Sequence, residues 1–70
     1  MINEYDRVKT LVEKKGFAAG TVGVVVSIYT SGDVCEVEVW DSTDYPVDVI
    51  TYNFSEIEVI PESEYWSSSY

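Results

Sequence analysis

Apolar and polar residues alternate along much of this chain with a period of two, as in strands that bury one face. The clearest run is VCEVEVW, Val34 to Trp40. There Cys35, Val37 and Val39 are expected toward the core, and Glu36, Glu38 and Trp40 away from it. TVGVVVSIYT, Thr21 to Thr30, is richer still in β-branched residues. Alternation sets Val22, Val24, Val26 and Ile28 on one of its faces and Gly23, Val25, Ser27 and Tyr29 on the other. DRVKTLVE, from Asp6, reads as a first strand, although Tyr5, Val8, Leu11 and Val12 also sit at helical spacing. VDVITYN, Val47 to Asn53, reads as a fourth strand, with Val47, Val49 and Thr51 opposite Asp48, Ile50 and Tyr52. FSEIEVI predicts a short helical turn at Phe54 to Glu56 and then a short fifth strand.

Turn formers separate these runs: KKGFAAG, SGD and DSTDYP. Gly20 and Gly23 stand where the long loop enters the second strand, positions suited to backbone angles or close approaches that a side chain would block. Five short strands with tight turns predict an all-β small barrel or sandwich over residues 1–61. PESEYWSSSY starts with a chain breaker and ends polar, so residues 62–70 read as a polar, aromatic tail. At 70 residues a domain buries only about 60% of the surface its unfolded chain exposes, which leaves little room for a deep substrate cavity.

Charge sharpens the reading. The formal net charge is −9, and the four basic residues, Arg7, Lys9, Lys14 and Lys15, all lie near the start. Ten of the thirteen acidic residues follow Gly16 without a single Lys or Arg among them. Phosphate binding requires clustered Lys and Arg, so direct nucleic-acid binding and anionic membranes are not expected partners. A basic protein is, because opposite charge speeds encounter. The same acidity would also serve solubility alone. One cysteine, Cys35, and no histidine exclude a disulfide framework within the chain and disfavour a zinc site. Cys35 is expected as a small buried hydrophobe. A lone thiol, an acidic start without a secretory pattern, and no run of ~18 apolar residues suggest a soluble cytoplasmic protein.

The chemistry of catalysis is poorly represented. Without histidine, acid–base work falls to carboxylates, Tyr or Lys, and Glu36 and Glu38 lie on an exposed face where nothing raises a carboxyl pKa. Asp41, Asp44 and Asp48 are close in sequence, but the stretch lacks the Gly and terminal Glu of an EF-hand loop. No enzyme activity, cofactor or metal is expected. Exposed aromatics among carboxylates instead suit a protein interface. The predicted partner-binding set is Glu36, Glu38, Trp40, Asp41, Asp44, Tyr45, Asp48 and Tyr29. Trp40 and Tyr52 have the alternative of capping the ends of the core.

The run AAGTVGVVVSIYTSGDVCEVEVWD resembles the SH3-like barrels of bacterial proteins that carry a G-x-x-G-x-V-V … Y-x-V-E-F run. From Tyr5 to Pro61 the chain looks like a bacterial family of small single-barrel domains, through Asp6 to Val8, Gly20 to Val25, Val37 to Asp41, and Ile50 to Ile57. The resemblance implies a five-stranded SH3-like barrel with a short helical turn before the last strand. Such proteins are often encoded near secreted toxins, so it also implies an immunity protein that masks the cleft of a basic, nuclease-type toxin. An SH3-like adaptor, or an inhibitor mimicking nucleic acid, is the alternative. The oligomeric state expected is a monomer or weak dimer.

Overall fold

The computed structural model describes residues 2–40 and 45–61. Strands β1 (Arg7–Thr10), β2 (Val22–Ile28), β3 (Val34–Trp40), β4 (Pro46–Asn53) and β5 (Ile57–Val59) form one antiparallel sheet in the order β4-β3-β2-β1-β5. A single 3-10 turn, Phe54–Glu56, joins β4 to β5. The turn lies where the sequence places it, and Asn53 and Glu56 close it as a capping box. The helical alternative at the start fails, because Arg7–Thr10 is extended and paired on both sides. This first strand is shorter than the apolar pattern suggests. After Thr10 the chain turns off, with Leu11 N donating to Glu56 O at 2.8 Å.

The sheet does not close into a barrel, which corrects the SH3-like reading of the fold and the family resemblance built on it. Closure requires the two edge strands to share a ladder. Here β4 and β5 are the opposite ends of the sheet, and neither pairs with the other. The reason lies in the turn. Three residues separate β4 from β5, and the chain leaves them to run antiparallel to β1, where Thr10 faces Ile57 and Val8 faces Val59.

Register gathers the apolar side chains on one face. Val8, Val25, Cys35, Val37, Val39, Ile50, Tyr52 and Ile57 are all at most 5% exposed. Ile2, Val12, Phe17, Ile28, Phe54 and Val59 pack around them. Thr10 is buried with them, its hydroxyl donating to Ala18 O and accepting from Thr21 N. Each such Val or Ile contributes roughly 1.5–3 kcal/mol by leaving water.

The alternation of β3 holds as expected, but that of β2 breaks. Val25 pairs with Val37, whereas Ser27 pairs with Glu36, so Val26 is the extra residue of a β-bulge. The bulge reverses the pattern. Val25 faces the core before it, and Ile28, opposite Cys35, faces the core after it. Gly23 is required for contact rather than for backbone angle. A Cβ there would lie 2.5 Å from Glu38 O and 2.7 Å from Val37 Cγ1. Gly20, by contrast, has φ +94° with open space around it.

Candidate functional site

The outer face of the sheet is built by register. Across it run Val49, Glu38, Val24 and Arg7, each opposite the next on its neighbouring strand. Beside that row run Thr51, Glu36 and Ser27. Side chains directly opposite in an antiparallel pair share a face and touch. Lys9 and Glu58 likewise stand opposite each other, 3.9 Å apart and solvated.

Each of the two expected acids on β3 is bound to an aromatic residue. The Tyr29 hydroxyl donates to Glu36 Oε2, and Thr51 Oγ1 donates to the same oxygen at 2.8 Å. These two donors hold the Glu36 carboxyl below the usual carboxylate range, with a smaller contribution from Lys15. The same bond, and the charge of Glu36, push the Tyr29 phenol up. One strand position further, Trp40 Nε1 donates to Glu38 Oε1 at 3.3 Å. Both carboxylates are thereby held in place by neighbouring side chains.

The predicted set divides on the structure. Glu36, Glu38, Trp40 and Tyr29 come together on or beside the outer face. Tyr45 is exposed at the entry to β4. Asp48 stands apart. It is opposite the buried Val39, so alternation puts it on the core side of β4, exposed near the start of the strand. Its Oδ1 accepts from Val49 N at 2.7 Å. Asp41 and Asp44 lie outside the described residues. Tyr52 is fully buried, so it is a core residue and no part of an exposed aromatic surface.

Sequence reasoning missed three contributors. A cation borders this face, where none was expected among the acids: the Arg7 guanidinium is 5.3 Å from the centroid of the Trp40 ring. The alternation of Arg7 and Lys9 with the buried Val8 and Thr10 was the available signal; the neighbour it met depended on strand order. Val47 and Val49, about half exposed, add apolar surface beside Glu38. The face is therefore acidic, aromatic and aliphatic, with one arginine at its margin.

Among the described residues no group of three or more His, Cys, Asp or Glu could hold a metal ion. No helix among them is long and apolar enough to cross a membrane. The chain matches no family model, and comparison with curated proteins and with solved structures found no match. The proposed membership of a bacterial barrel family therefore has neither the closed sheet nor a matching family to support it.

Proposed function

We propose that this chain is a binding module for a basic protein partner, docked on the outer face of β2, β3 and β4. The observation that carries the reading is the pairing of Glu36 with Tyr29 and of Glu38 with Trp40. Aromatic residues supply contact area, and the carboxylates beside them select Lys and Arg. Because the acids are already held in place, a partner loses less freedom in meeting them. The net charge of −9 adds long-range attraction.

A nuclease-type toxin fits this chemistry, since its cleft must be cationic to hold nucleic acid. Occupying that cleft with Glu36 and Glu38 would neutralise it, in a cytoplasmic setting that suits the lone thiol of Cys35. An adaptor role for a less basic partner draws on the half-exposed Val47 and Val49.

The test is co-expression with the product of the adjoining gene, followed by affinity measurement at low and high salt. Steep salt dependence, with losses of tenfold or more on Glu38→Gln or Trp40→Ala and little change on Glu13→Gln, is the expected result (about 1.4 kcal/mol per tenfold). Equal effects at all three positions would remove the proposed face. Binding indifferent to salt would favour the adaptor.

A further inference from the structure

Among the described residues no strand pairs with the outer edge of β4, and the chain's own side chains occupy it. Val34 stands opposite Asn53, and Phe54 N donates to Asp33 O at 2.9 Å. That bond flanks a narrow pair, and narrow and wide pairs alternate along an antiparallel ladder. Asn53, Thr51 and Val49 therefore point their N–H and C=O groups away from β3. Three of these outward groups meet side chains. Val49 N–H donates to Asp48 Oδ1 at 2.7 Å, Asn53 N–H donates to Glu56 Oε1 at 2.9 Å, and Thr51 O accepts from Lys14 Nζ at 3.1 Å.

Lys14 is presented by a tight turn. Its N and O exchange hydrogen bonds with Phe17, and Lys15 and Gly16 between them have φ of 53° and 87°. The ammonium lies 2.8 Å from Glu56 Oε1 and 4.9 Å from the centroid of the Tyr52 ring. A carboxylate, a carbonyl and an aromatic face together make a seat for an ammonium group.

Resting on the reading that the partner is basic, we propose that the β4 edge receives an extended basic segment of that partner as a sixth strand. A lysine of the segment takes the seat that Lys14 holds in the free protein. Strand addition needs a long edge with outward backbone groups. The β4 edge spans Pro46–Asn53, whereas β5 at the other end has three residues. Charge favours a basic segment over a second copy of a chain that carries −9. Val47 and Val49 flank the edge on the outer face and would meet apolar side chains of the incoming strand.

The probe is a capped peptide of about ten residues alternating Lys and Val, long enough to cover the edge, titrated calorimetrically into the full chain. Lys14→Met should tighten binding about tenfold, the scale of one charge-assisted bond. Lys15→Met makes the same charge change on the same turn and should leave binding nearly unchanged. Thr51→Pro should abolish binding, because it removes an outward N–H without breaking the backbone ladder to β3, whereas Thr51→Val, which loses the same hydroxyl bond to Glu36 and keeps the N–H, should bind as the unaltered chain does. A peptide N-methylated at alternate residues should not bind the unaltered chain, a control that needs no folded variant. Equal tightening by both lysine variants, or binding that survives N-methylation, overturns the proposal. So does absence of binding to Lys14→Met. Dimerisation of Lys14→Met in sedimentation would make a second copy the occupant and overturn the basic segment. With the natural partner, loss on Trp40→Ala but not on Thr51→Pro removes the edge and keeps the face; loss on Thr51→Pro, with none on Trp40→Ala or on Thr51→Val, which gives up the hydroxyl on Glu36 and keeps the N–H, removes the face.

Discussion

Lys14 Nζ and Glu56 Oε1 lie 2.8 Å apart and tie the loop after β1 to the turn before β5. The contact spans 42 positions of sequence, and the same ammonium also donates to Thr51 O of β4 at 3.1 Å. Lys14, together with the Asn53 cap, holds the Glu56 carboxyl below its ordinary value of 4.5. A carboxyl lowered in the folded state stabilises the fold above its unfolded pKa, and that contribution disappears as pH falls through the folded value. Glu36 acts in the same direction. The melting temperature should therefore fall as pH drops below about 4.5, and fall less steeply in Glu56→Gln, as thermal scans across acid pH would show. At neutral pH Lys14→Met should cost about 1 kcal/mol or less, as for other partly solvated pairs.

Tyr52 is fully buried, and its hydroxyl has no hydrogen-bond partner among the described residues. Tyr52→Phe removes that orphaned group and keeps the ring. It should be neutral or stabilising by up to about 1 kcal/mol, whereas Tyr52→Ala should cost about 3–5 kcal/mol. Urea titration of the two variants decides this. Burial pushes the Tyr52 phenol up, with Glu56 adding to it, and burial likewise raises the Cys35 thiol. Groups raised in the folded state favour unfolding once the unfolded chain begins to ionise. Stability should decline as pH climbs past the ordinary thiol and phenol values of 9.0 and 10.0, less so in Tyr52→Phe.

Gly23 and Gly20 should respond differently to alanine. At Gly23 the new Cβ meets the backbone oxygen of Glu38, which cannot move without parting β2 from β3. A loss of about 2–3 kcal/mol is expected, at the upper end for overpacking. At Gly20 there is space, and only the left-handed backbone opposes the change, for about 1–2 kcal/mol. Equal losses in denaturant midpoint would refute the close approach at Gly23.

The Tyr29–Glu36 bond can be read spectroscopically. Removing the phenol in Tyr29→Phe should raise the Glu36 pKa toward its ordinary 4.5, observable in a carboxyl NMR titration. An unmoved titration would show that Thr51 and Lys15 set it without the phenol.

Local chemistry was legible in the sequence; neighbours were not. Cys35, Val37 and Val39 declare their face by alternation, and Phe54 to Glu56 declare their turn. Alternation also separated Ile50 and Tyr52 from Val47 and Val49, without saying which pair goes inward. Glu36 and Glu38 were readable as acids on the outer face, where both are half-buried rather than fully exposed, but their aromatic partners depended on the hairpin geometry at Tyr29 and on the side-chain path of Trp40. Arg7 reached Trp40 only because β1 lies against β2. Barrel closure was the least legible feature, because it depends on whether the two ends of the sheet meet.

The bulge at Val26 shifts the rhythm of tolerance along β2. A saturation library through this strand should accept polar residues at 24 and 27 and reject them at 25 and 28. No single odd-or-even rule describes that series. Deleting Val26 would restore a regular ladder and leave Ile28 opposite Cys35, so a chain one residue shorter would keep its inward set and lose only the local bend and added twist that the extra residue supplies.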